Sequence, residues 1–163
     1  MKNTSRLSAA AILLLCASTQ AAVSATTTTN LAVTATVVDA CIVTAPSALV
    51  FGDLSATAAS NETIPGSIVI TCTAAKTGLS VVLGAGANSA SGQRRMSDGG
   101  ANRVPYNIFT DAGRTSSVAV DGTFYTGNVA AATPVTRSVY GQVPAGSYNV
   151  GLYTDTVLVT LNY

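Results

Sequence analysis

From Gly151 to Tyr163 the chain reads GLYTDTVLVTLNY, and every second residue, Tyr153, Val157, Val159, Leu161 and Tyr163, is apolar, with Asp155 as the one exception. The alternate set Thr154, Thr156, Thr160 and Asn162 is polar, apart from Leu152 and Leu158. A period of two predicts a β-strand with one buried face, and branched valines and threonines suit a pleated, half-buried surface. A strand in this position has no turn to lead it into a following neighbour. Its partners must therefore come from earlier in the sequence or from another molecule.

At the other end, Lys2 and Arg6 precede an apolar run from Leu7 to Ala17, and Val23-Ser24-Ala25 offers the small residues that a signal peptidase reads. Residues 1–25 are expected to be a secretory signal, removed to leave a mature chain starting at Thr26. The apolar run is too short for a membrane anchor across ~30 Å of hydrocarbon. A lipoprotein signal would need a small residue before Cys16, where Leu15 stands. The expectation is one domain over 39–163, preceded by an extension over 26–38.

Without Lys2 and Arg6, six basic residues face seven acidic ones. No basic surface invites nucleic acid. Charged residues make up 9% of the chain against 48% hydrophobic, so little charge repulsion keeps copies apart, a composition suited to extracellular assembly. No transmembrane segment is expected in the mature chain.

Cys41 and Cys72 survive processing, and in a secreted chain such a pair is expected to form a disulfide. The spacing is not CxxC. The chain has no histidine, which removes Ser-His-Asp and Cys-His nucleophile systems, histidine zinc sites and the commonest general base. Asp98, Asp111 and Asp121 sit in turn-like contexts, and a calcium site at Asp98 and Asn102 would lack closely spaced acidic ligands. Gly84 to Ser89 lacks the GK[ST] of a phosphate loop. Neither an enzyme nor a cofactor is expected.

Between the termini the pattern is strand and turn. Leu31 to Val38 alternates and runs into Cys41-Ile42-Val43 before Pro46 breaks it; Leu49 to Phe51 is a short strand; Ser55 to Asn61 is a loop; Pro65-Gly66 is a turn. Ser67 to Thr73 places Ile68, Ile70 and Cys72 on one face. Strands follow at Leu79 to Leu83, Val104 to Thr110 and Val135 to Val143, with a strand, turn and strand around Asp121-Gly122. Gly84 to Asn102 reads as a long connection with room for a short strand, Arg94 and Arg95 being solvated loop charges. Many short strands with frequent turns predict an all-β sandwich, with a barrel as the alternative.

Several segments, taken together, resemble the spore coat protein U domain family: Asp39-Ala40-Cys41, Phe51-Gly52-Asp53-Leu54, IVITC ending at Cys72, PYNIFTDAGR from Pro105 to Arg114, VYGQV from Val139 to Val143, and YTDTVLVTL from Tyr153 to Leu161. Within the family the sequence is most similar to subunits of archaic, Csu-type chaperone-usher pili. The resemblance implies an immunoglobulin-like β-sandwich lacking one strand, completed by a donor strand from a neighbouring subunit. It implies a donor strand within 26–38 with Leu31, Val33, Ala35 and Val37 facing the groove, and a C-terminal strand with Val157, Val159, Leu161 and Tyr163 at the groove and the chaperone. The implied partners are a periplasmic pilus chaperone, an outer-membrane usher and further copies or related pilins. The implied location is a cell-surface pilus reached through the periplasm, serving attachment and biofilm growth. Two other readings stay open: a spore coat or extracellular matrix protein of the same family, and a monomeric carbohydrate-binding sandwich, for which 6 Tyr, 3 Phe and no Trp supply few aromatic platforms.

Overall fold

The computed structural model describes residues 25–54, 61–62 and 65–163. Strict alternation of buried and half-buried residues in β3 (Gly66–Cys72) puts Ile68, Ile70 and Cys72 inward, as their spacing predicts. The same rule shapes β4 (Lys76–Leu83), which buries Leu79, Val81 and Leu83. It also shapes β6 (Arg103–Phe109), which buries Val104, Tyr106 and Ile108.

These strands belong to two antiparallel sheets that enclose one core. The larger runs β1 (Cys41–Ser47), β3, β9 (Val135–Val143), β6 and β5 (Arg94–Ser97), with β2 (Asn61–Glu62) on β9 and β7 (Ser117–Val118) on β6. The smaller runs β10 (Val159–Asn162), β4 and β8 (Gly122–Val129). Residues Thr36–Tyr163 form a compact unit around that core. The all-β, two-sheet expectation holds. Among the described residues there is no helix long and apolar enough to cross a membrane.

Cys41 and Cys72 are direct partners in the β1–β3 register and form a disulfide with a Cα–Cα distance of 4.0 Å. It spans a sequence separation of 31, a loop whose closure contributes roughly 3 to 4 kcal/mol in the chain-entropy treatment.

Several local expectations are corrected. Pro46 lies inside β1, at a register irregularity between Thr44 and Ser47, and is tolerated because β1 is an edge strand with no ladder on its outer side. Leu49 to Phe51 does not form a strand; Val50 makes an isolated bridge. Gly66 opens β3. The loop expected at 55–61 falls mostly outside the described residues, and its last residue, Asn61, pairs with Val143 in β2. The strands either side of Asp121-Gly122 are no hairpin, since β7 joins β6 in one sheet and β8 joins β4 in the other. Asp121 takes a φ of 54°, a left-handed turn that carries the chain across the sandwich.

The alternating stretch 31–38 forms no strand either. Residues 25–40 belong to no sheet, and Leu31, Val33 and Val37 are 87%, 84% and 85% exposed. A strand needs a ladder to stabilise it, and this segment has none.

Candidate functional site

The last strand explains the site. Thr154 exchanges both backbone hydrogen bonds with Ser97 of β5 at 2.9 Å, so the C-terminal stretch begins against the larger sheet. Further on, Thr156 and Leu158 accept from the Ala87 and Gly84 amides at 3.1 and 2.9 Å, and Val159 to Asn162 pair with β4 in the smaller sheet. The chain thus crosses from one sheet to the other, and only Val159–Asn162 qualifies as regular strand. The predicted alternation survives the crossing: Tyr153, Asp155, Val157, Val159 and Leu161 are half-buried, while Thr154, Thr156, Leu158 and Thr160 are exposed.

Among the described residues β1 pairs only with β3, and β10 only with β4. Each has an outer edge with no partner strand among those residues. Between β1 and the C-terminal stretch lies an apolar groove of about 430 Å³, floored by Ile68, Met96 and Ile108 and walled by Leu49, Phe51, Val157 and Val159. Its Phe51 and Tyr106 rings stand 5.6 Å apart at 59°. A groove with apolar pockets between unpaired edges offers what an added strand needs: main-chain partners for affinity and hollows for alternate side chains.

Asp155, the exception in the apolar set, is held at the groove by three donors. Tyr106 Oη donates to Oδ2 at 2.7 Å, and the Asn88 amide and Nδ2 both donate to Oδ1 at 3.1 Å. Burial, then this bond to a carboxylate, pushes the Tyr106 phenol far above its usual range. Gly86, at a φ of 84°, lies under the carboxylate; a Cβ there would stand 2.2 Å from Oδ2. Only glycine meets both conditions.

Arg94, expected in a solvated loop, is 3% exposed. Its Nε donates to Gly84 O at 2.9 Å, Nη1 to Val118 O at 2.7 Å, and Nη2 to Leu83 O at 2.7 Å and Ala119 O at 2.8 Å. The guanidinium joins the end of β4 to the β7–β8 crossover. Burial lowers its pKa, partly offset by Tyr106, Asp121 and Asp155. Two adjacent arginines in a Gly- and Ser-rich stretch gave no sign that one would turn inward. Among the described residues no buried side-chain nitrogen or oxygen lacks a partner, and no group of three His, Cys, Asp or Glu could hold a metal.

Of the residues assigned from sequence, Val157 and Val159 line the groove and Leu161 packs on the core. Tyr163 is 60% exposed, with Lys76 Nζ 5.4 Å from its ring centre. Leu31, Val33, Ala35 and Val37 are all exposed. Met96, Tyr106 and Asp155 were not foreseen as groove residues; the polar break at Asp155 was the available signal.

Comparison with known proteins places this architecture. Residues 27–160 match the Spore Coat Protein U domain. The chain belongs to the spore coat protein U domain family. The match to this family runs from the exposed N-terminal stretch into the first half of β10. Among solved structures, this spore coat protein U domain chain is similar to one in the crystal structure of the CsuC-CsuE chaperone-tip adhesion subunit pre-assembly complex from archaic chaperone-usher Csu pili of Acinetobacter baumannii. The identity is 22% and the TM-score 0.48, over 78% of this chain and 41% of that one. No curated protein matches.

Proposed function

We propose that this protein is a structural subunit of a secreted surface pilus, assembled by a chaperone and usher through donor-strand exchange. The observation that carries the reading is the apolar groove between two unpaired strand edges. A sandwich with such a gap leaves the wall side chains of Leu49, Phe51, Val157 and Val159 only half-buried, and an added strand would cover them. The complementary observation is the segment 26–38, whose alternating Leu31, Val33, Ala35 and Val37 are exposed and outside any sheet. In a closed sandwich these side chains would sit in the protein's own core.

In this reading the signal of residues 1–25 directs export, residues 26–38 are the donor strand, and 39–163 the acceptor domain. The chaperone holds the groove through the Val157, Val159, Leu161 and Tyr163 strand before the usher passes the subunit to a neighbouring copy or a related pilin. Membership of the spore coat protein U domain family supports an assembling, non-enzymatic role. Fibres of this kind serve attachment and biofilm growth at the cell surface.

The decisive experiment changes Val33 and Val37 together to Asn in a chain expressed with its chaperone. Burying a leucine or valine contributes on the order of 1.5 to 3 kcal/mol, so losing two such contacts should abolish the polymer. The chaperone-bound subunit should keep its yield, because the segment is not part of its own core. Loss of both, or of neither, would overturn the reading.

A further inference from the structure

The two ends of the groove differ in what they leave room for. At one end the chain enters β1 through residues held in place: the Ala40 amide donates to Thr73 Oγ1 at 2.9 Å, the Thr73 amide to Ala40 O at 2.9 Å, and Thr73 Oγ1 lies 3.1 Å from Val38 O. Lys76 pairs with Asp39 and also lies over the ring of Tyr163. The residues before β1 therefore leave the body at the Tyr163 end. At the other end stand Ser47, Leu49 and Tyr153.

A strand laid in the groove parallel to residues 153–162 would bring its own body to the Tyr163 end, where the host's segment already leaves. An antiparallel strand brings its body to the Tyr153 end. Only the second arrangement strings copies head to tail without two bodies competing for one place. Asp39 and Ala40 alone separate Val38 from Cys41, about 10 Å of extended chain, so the arriving body must abut the Tyr153 end.

What projects there is the loop after β9, where Val150 is 100% and Leu152 84% exposed. The loop is braced: Tyr148 Oη donates to Pro144 O at 2.8 Å, and Tyr153 Oη to Asn149 O at 2.9 Å. Single exposed apolar residues need no explanation, but two on a braced loop beside the place where a neighbour must arrive do. We infer that Val150 and Leu152 form a seat for the body of a second copy, the one whose strand fills this groove, and that they meet the face carrying that copy's Asp39, Lys76 and Tyr163. This rests on the donor-strand reading above.

The test compares the mature wild-type chain with a Val150→Glu, Leu152→Glu variant, using a synthetic peptide of residues 26–38 as a probe of the groove alone. The variant should bind the peptide within about twofold of wild type, while its polymers dissociate on dilution at least tenfold faster. In a Val150→Cys chain, a photo-crosslinker on that cysteine should join copies at residues near Lys76 or Tyr163. Unchanged polymer dissociation, or crosslinks confined to other surfaces or to a different protein, would overturn the seat while leaving the groove reading intact. If the peptide fails to bind even the wild-type chain, the groove reading falls and the seat with it.

Discussion

Tyr106 donates its phenolic hydrogen to Asp155 Oδ2 across 2.7 Å, linking the middle of β6 to the point where the C-terminal stretch passes from one sheet to the other. This bond, with the two from Asn88, fixes a carboxylate where the alternation calls for an apolar side chain.

Asp155→Ala should therefore cost about 2 to 3 kcal/mol of stability, since it leaves the Tyr106 hydroxyl and the Asn88 donors without their acceptor. Tyr106→Phe should cost less, about 1 to 2 kcal/mol. Urea unfolding of both single variants and the double should give a coupling of at least about 1 kcal/mol. Additive effects would mean the bond does not hold the crossing.

Arg94→Met should be among the most damaging single changes outside the apolar core. Four carbonyl oxygens lose their donors, those of Leu83 and Val118 in buried bonds and those of Gly84 and Ala119 in part-buried ones, at about 1 to 3 kcal/mol for each buried acceptor that finds no replacement. Arg94→Lys should rescue only part of this, because an ammonium carries three donors and lacks the planar fork. Thermal melts would rank Arg94→Met lowest, Arg94→Lys between, and wild type highest.

Replacing Cys41 and Cys72 by serine should lower stability by roughly 3 to 4 kcal/mol, through the loop they close. The loss should concentrate in β1, which among the described residues pairs only with β3. Hydrogen exchange in Ile42 to Thr44 should rise more than in β6.

Asp111 accepts from the Thr115 and Ser116 amides at 3.0 and 2.7 Å and from the Thr115 hydroxyl at 3.0 Å, and these bonds hold its pKa below the usual carboxylate value. A pKa lowered by folding contributes stability that is present above the unfolded value, about 3.9, and is lost as pH falls through the folded one. Stability measured from pH 5 down to pH 2 should therefore fall less steeply in Asp111→Asn than in wild type. An identical slope would show that the turn does not depend on the charge.

The sequence by itself determined the strands that bury one face. Ile68, Ile70 and Cys72, or Val157, Val159 and Leu161, carry their period of two in local order, and the hydrophobic effect acts on that period whatever the neighbours are. It also pointed to the cysteine partnership, because removal of the expected signal, with Cys16, would leave Cys41 and Cys72 a single pairing. The tertiary structure alone decided the rest. Arg94 and Arg95 are indistinguishable as letters, yet one finds four carbonyls brought together by β4 and the β7–β8 crossover and the other does not. Residues 31–38 have a strand's alternation and no strand, since a ladder requires an edge and the local sequence cannot say where one is. The groove exists for the same reason: β1 and β10 each end a sheet, and which strands become edges follows from the order in which non-adjacent segments pair, not from the residues of either strand.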